Sequence, residues 1–197
     1  MEKNKIKTRL KESIKKNKQI ISSRSLGKKV TRKADLLMAL IANIEIISRR
    51  LREQGQVTTQ LIMMIATDLF KSEGHQYAIV ICLPRPTNIT SQLINAIKPF
   101  LDRVYQEGKS YKKTGVIAKQ LSDSESQTDS FLWPRGDHKK ESQLMAAIDQ
   151  INNRYQYRLL GYGYLTKETK SNWKPRQNQR SPHYTTAWQE LPDVKLA

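Results

Sequence analysis

From Arg32 to Glu53 the apolar residues Leu36, Leu37, Leu40, Ile41, Ile44, Ile47 and Leu51 recur at helical spacing. That stripe predicts a long amphipathic helix, with Thr31 offering an N-cap hydroxyl and Gly55 a stop. Ahead of it, Gln19–Leu26 reads as a strand: Ile20 and Ile21 are β-formers, and Ser22, Ser23 and Ser25 suit an exposed face. Gly27, Lys28 and Lys29 close that strand. Val57–Ala66 is a β-type run, although its continuously apolar centre, Leu61 to Ile65, fits a buried helix equally well by periodicity alone. Tyr77–Leu83 is a further strand, stopped by Pro84, Arg85 and Pro86 and joined to the previous one by a loop from Asp68 to Gly74. Thr87, Asn88 and Thr90 are cap candidates for a second helix, whose apolar face is Leu93, Ile94, Ile97, Leu101 and Val104. Pro99 lies inside this pattern and predicts a kink; Gly108 ends it. Tyr111–Leu121 reads as the last strand, with Val116 and Ile117 at its middle.

Strand, helix, strand, strand, helix, strand is an α+β order. It predicts a split βαβ arrangement: a four-stranded sheet with two helices on one face and the other face open. Beyond residue 121 the pattern changes. Residues 122–139 read as a flexible linker of Ser, Asp, Glu, Gln and Thr, running into the apolar cluster Phe131, Leu132, Trp133 and Pro134. Ser142–Asn153 predicts a short helix with Leu144, Ile148 and Ile151 on one face. Leu159–Leu165, which contains Gly161, Tyr162, Gly163 and Tyr164, is a candidate strand, and the remainder is irregular. At the other end, residues 1–18 form a Lys-rich arm in which Ile6, Leu10 and Ile14 make a narrow stripe. The arm either touches phosphates or is simply solvated. The expected organisation is therefore an arm (1–18), a sheet domain (19–121), a linker (122–139) and a small, partly irregular C-terminal region (140–197).

Charge narrows the function. Lys and Arg number 35 against 18 acidic residues, for a net charge of +17. Such an excess points to a polyanionic partner, nucleic acid first. The 38% hydrophobic content agrees with part of the chain lying outside a core. The lone cysteine, Cys82, sits in an apolar run and reads as a small buried hydrophobe. No stretch approaches the ~20 apolar residues of a membrane span, and the first residues lack the apolar core of a secretory signal, so a cytoplasmic protein is the expectation. The chemistry of catalysis is missing from the pattern. His75, His138 and His183 are scattered, no phosphate loop occurs, and the acidic residues are dispersed, so neither a metal nor another cofactor is expected.

Several motifs, taken in order, carry a family resemblance. Ser23, Arg24, Ser25, Leu26 and Gly27, followed by Val30, Thr31 and a long helix, resemble the opening of the little-finger domain of Y-family translesion DNA polymerases of the UmuC type. Tyr111, Lys112, Lys113, Thr114, Gly115 and Val116 are similar to that domain's last strand. The tail resembles the C-terminal region of UmuC-type chains: Trp173, Lys174, Pro175 and Arg176, then Arg180 to Trp188, then Glu190, Leu191 and Pro192. The palm, fingers and thumb of such polymerases would precede residue 19, where this sequence has a Lys-rich arm. The resemblance therefore implies a non-catalytic portion of a polymerase, whether a split-gene product, a truncated remnant or a free-standing protein.

The resemblance implies a DNA-binding module of an error-prone polymerase in SOS-type damage tolerance. It would grip primer-template DNA through backbone phosphates without reading sequence. Ser23, Arg24, Ser25 and Lys28 on the first strand match the family's phosphate-contacting strand. Lys112, Lys113 and Thr114 on the last strand are second candidates. Gln127, Phe131 and Leu132 stand where UmuC-type chains carry a sliding-clamp-binding peptide, with Thr128 and Ser130 in place of the usual leucines. Trp173, Lys174, Arg176, Arg180, Tyr184 and Trp188 suit either base stacking with phosphate contact or anchoring of the tail. Such an anchor could lie on the protein itself, on a UmuD-type subunit or on RecA. A separate palm-bearing chain is a further implied partner. The alternative reading is a protein-interaction module for the clamp or polymerase partners; RNA binding is a third.

Overall fold

The computed structural model describes residues 18–68, 74–124, 136–155 and 159–162, together with residues 173, 181 and 189. Seven elements follow in order: β1 (Ile20–Val30), α1 (Lys33–Glu53), β2 (Gln56–Thr67), β3 (Gln76–Thr87), α2 (Thr90–Val104), β4 (Tyr111–Asp123) and α3 (Gly136–Arg154). The four strands form one sheet in the order β1-β4-β2-β3, every neighbouring pair antiparallel. Two antiparallel steps make β1 parallel to β2 with β4 between them, and β3 parallel to β4 with β2 between them. These are two interleaved split βαβ units, as the order of elements predicts.

Both helices of the sheet domain cover one face. The stripe on α1 buries Leu36, Leu40, Ile41, Ile44, Ile47 and Leu51, and α2 adds Leu93, Ile94, Ile97 and Leu101. They close over Leu61, Met63 and Ile65 of β2, Ile81 of β3 and Val116 and Ala118 of β4. Each such side chain contributes about 1.5–3 kcal/mol on burial, so this layer holds the sheet to the helices. Buried polar bonds tie it together as well. Asn43, fully buried on α1, accepts from Ser22 Oγ at 3.0 Å and donates to Thr114 Oγ1 at 3.2 Å. Ser48 of α1 and Thr90 of α2 share a hydrogen bond of 2.8 Å.

Element ends differ from the sequence expectation for stated reasons. The strand β1 runs through Gly27 to Val30, because Lys28 and Lys29 belong to a bulge against β4 rather than a turn. The strand β3 runs through Pro84 and Pro86 to Thr87. It is an edge strand, where a residue with no N–H costs no ladder bond. Neither helix start carries a side-chain cap; Arg32 and Ile89 occupy the cap positions, not Thr31 or Thr90. Pro99 lies inside α2 as expected. Gly108 has φ +82°, the left-handed turn that glycine favours after the helix. Cys82 is exposed, which corrects its assignment to the core: its alternation with buried Ile81 turns it to the open face.

The helix α3 starts at Gly136, inside the expected linker, and β4 extends to Asp123 at its other side. Its buried contact is Met145; of the expected apolar face Ile148 is half-buried, whereas Leu144 and Ile151 are 57% and 37% exposed. Polar bonds dock it as well. Arg52 grips Asp149 with two hydrogen bonds, 2.6 and 2.9 Å, and Gln92 donates to Glu141 at 2.6 Å. Residues 159–162 are not a strand: Leu159 and Leu160 N–H groups donate to Asn152 Oδ1, which turns the chain back on α3. No helix among the described residues is long and apolar enough to cross a membrane.

Candidate nucleic-acid interface

Alternation along each strand and the pairing register assign every sheet residue to a face. On the open face, Ile21, Ser23 and Ser25 of β1 pair with Ile117, Gly115 and Lys113 of β4. These continue onto Ile62, Met64 and Ala66 of β2, and then Val80, Ala78 and Gln76 of β3. The face is thus built of transverse rows. One row is aliphatic across all four strands: Ile21, Ile117, Ile62 and Val80, with Ile21 44% and Val80 54% exposed. The next is Ser23, Gly115, Met64 and Ala78, small apart from Met64, whose methyl lies over Gly115. Gly115 is required there, since a Cβ would lie 2.9 Å from both the Met64 methyl and Ser23 Cβ. The third row is Ser25, Lys113, Ala66 and Gln76. The face carries no acidic side chain in these rows, yet its centre is apolar rather than charged.

Positive charge gathers at a corner instead. The β1/β4 register passes from Ser25↔Lys113 directly to Val30↔Tyr111, so residues 26–29 lie opposite Lys112 alone. The register of β2 against β4 breaks at the same place, between Ala66 and Thr67. This bulge brings Lys28 and Lys29 of β1 to Lys112 and Lys113 of β4, all exposed. Bulges re-aim side chains and end regular pairing, and here four exposed lysine positions fall at one end of the sheet. Lys112 Nζ, on an exposed side chain, lies 3.2 Å from the carboxylate of Asp68, whose side chain is 16% exposed. Ser23 and Ser25 stand beside the corner on the open face.

Two of the expected contact residues face the other way. Thr114 is 1% exposed and bonded to Asn43, so it serves the core and not the open face. Arg24 pairs with Thr114 and shares the helix-side alternation of Ile20, Ser22 and Leu26. Its guanidinium stacks on the indole of Trp173, 5.1 Å from the ring centroid. Desolvation there pulls the Arg24 pKa below its ordinary value, and the stacking is worth about 0.5–2 kcal/mol. A sequence signal for this placement existed: Arg24 has the same parity as Ile20 and Leu26.

Trp173 is 1% exposed and belongs to the hydrophobic core. Its backbone carbonyl accepts from the Gly27 N–H of β1 at 2.9 Å. Trp173 thus packs on the protein itself. The clamp-peptide candidates Gln127, Phe131 and Leu132, and the tail candidates Lys174, Arg176, Arg180, Tyr184 and Trp188, lie outside the described residues. Among the described residues no group of three His, Cys, Asp or Glu side chains could hold a metal ion.

A four-stranded antiparallel sheet covered on one face by two helices is a split βαβ module of the α+β class. Residues 17–130 match the impB/mucB/samB family C-terminal domain, and the chain belongs to that family. Residues 142–194 match a domain of unknown function, DUF4113. The chain is 27% identical over 180 residues to Protein ImpB of Salmonella typhimurium, covering 90% of this chain and 42% of that protein. Protein MucB of Escherichia coli is 29% identical over 176 residues, covering 88% and 41%. Protein UmuC of Salmonella typhimurium is 26% identical over 185 residues, covering 90% and 42%. The chain thus spans about two-fifths of the length of these curated relatives. Among solved structures, the little finger domain of PolIV, in its complex with the beta-clamp processivity factor, is 13% identical with a TM-score of 0.42. That match covers 57% of this chain and 97% of that one.

Proposed function

We propose that this chain is the DNA-gripping module of an error-prone translesion polymerase, non-catalytic by itself and acting in SOS-type damage tolerance in the cytoplasm. The observation that carries this reading is the basic corner of Lys28, Lys29, Lys112 and Lys113 at the β1/β4 bulge. Point charges beside Ser23 and Ser25 hydroxyls suit phosphate oxygens, which position a protein on DNA without reading its sequence. The grip lies at the corner of the sheet; the aliphatic row at its centre offers phosphate nothing. A palm-bearing polymerase segment is the partner that such a grip would serve.

Fluorescence anisotropy with primer-template DNA at several salt concentrations tests the reading. Affinity falls steeply with salt, because each neutralised phosphate contributes about −0.9 to the slope of log K against log salt. Replacing Lys28 and Lys113 together by Ala makes the slope shallower by about two such contacts. Absent or salt-independent binding overturns the reading.

A second reading rests on Gln127, Phe131 and Leu132, a glutamine followed by apolar anchors of the kind that fill a preformed pocket. It makes the chain an adaptor to the sliding clamp. Retention of clamp on the immobilised chain, lost in Phe131→Ala, supports it; equal retention by both removes it.

A further inference from the structure

The described residues of the region that matches a domain of unknown function pack on the sheet domain. Asp149 of that region is held by Arg52 of α1, and one of its residues reaches the far edge of the sheet. That residue is Trp173. It makes two contacts with β1, the strand that supplies half of the basic corner. Its carbonyl accepts from Gly27 N–H at the start of the bulge, and its ring lies against the Arg24 guanidinium. Arg24 is the nearest cation to Ser25 along β1, one residue from the open-face row that holds Lys113. It nevertheless points to the helix side, half-buried against a tryptophan that is itself in the core.

We infer that Trp173 is a positioning residue that sets how many phosphates the β1 edge can hold. With the indole in place, Arg24 is stacked on the helix side and the grip uses the corner lysines alone. When Trp173 is withdrawn, the guanidinium on its long stem swings round the free edge of β1 and adds one phosphate contact. Through Trp173 the C-terminal region is by this account an intramolecular limiter of DNA affinity. β1 is an edge strand, so nothing in the sheet stands between Arg24 and solvent on that side once the ring has left. Arginine suits the role because it stacks on aromatic faces and pairs with phosphate equally well. This inference rests on the DNA-gripping reading above.

The test is a salt series of primer-template binding by the full chain and by R24A, W173A, W173F and R24A/W173A, with circular dichroism to confirm folding. R24A alone leaves the slope of log K against log salt unchanged. W173A steepens it by about 0.9, so that a fourfold rise in salt costs about 3.5-fold more affinity than in the parent. R24A/W173A returns the slope to the parent value, and W173F, which keeps a ring, holds it there. A slope that becomes shallower by about 0.9 in R24A alone overturns the inference, since Arg24 would then already be on phosphate. An unchanged slope in folded W173A overturns it as well. Should W173A fail to fold, R24A decides, backed by the side-chain resonances of Arg24. These are ring-shifted in the free protein and stay in place on adding DNA; movement to unstacked positions refutes the inference. Loss of all DNA binding by the parent would instead remove the DNA-gripping reading itself.

Discussion

Asn43→Ala is the most informative single perturbation of the sheet, because Asn43 joins three elements with one side chain. It is fully buried on α1, accepts from Ser22 of β1 and donates to Thr114 of β4. Truncation removes two hydrogen bonds, each worth about 0.5–1.5 kcal/mol net. It also leaves two hydroxyls without their partner, at about 1–3 kcal/mol for one that stays dry. Thr114 is 1% exposed and bears this cost in full, whereas Ser22, 8% exposed at the sheet edge, recovers part of it from water. The sum is about 3 kcal/mol. In urea, with a slope of about 1.5 kcal/mol per molar, the unfolding midpoint falls by about 2 M. Replacing all three residues by apolar near-isosteres, Ser22→Ala, Asn43→Leu and Thr114→Val together, recovers most of that loss, because no buried donor or acceptor is then left over. A loss below about 0.5 kcal/mol in Asn43→Ala would refute the reasoning, as would a triple variant less stable than the single one.

Other outcomes follow from the open face. Gly115→Val destabilises by about 1–3 kcal/mol in the same urea assay, because its Cβ meets Ser23 Cβ, which cannot give way, as well as the mobile Met64 methyl. Cys82 is the lone thiol of the chain and is exposed, so the folded protein takes one maleimide label without loss of its thermal transition. Labelling that requires denaturant would return Cys82 to the core.

Much of the fold was legible in the chain itself. The stripe from Leu36 to Leu51 and the apolar face from Leu93 to Leu101 are set by helical periodicity, which needs no partner to be read. The element order then limits the sheet to a small family of interleaved units. Ends were less legible where context overrides local preference: Pro84 and Pro86 break a central strand but not an edge strand, and only pairing tells which β3 is. The docked face of α3 was legible only in Ile148, because much of its attachment is polar, through Asp149 and Glu141, while Leu144 and Ile151 stay exposed.

The chain alone also gave the net charge that motivates the search for a polyanionic partner, since net charge is a sum over residues and needs no coordinates. It determined which residues of β1 share a side, because alternation is local. Tertiary structure decided which of those sides is covered. It turned Arg24 and Thr114 toward the helices, Cys82 toward solvent, and gathered Lys28, Lys29, Lys112 and Lys113 at one bulge from positions more than eighty residues apart. The physical reason is that a strand's two faces are equivalent until a helix layer buries one of them. Here β1 carries isoleucine on both, and the choice is made by the partners that Asn43, Met63 and Trp173 supply.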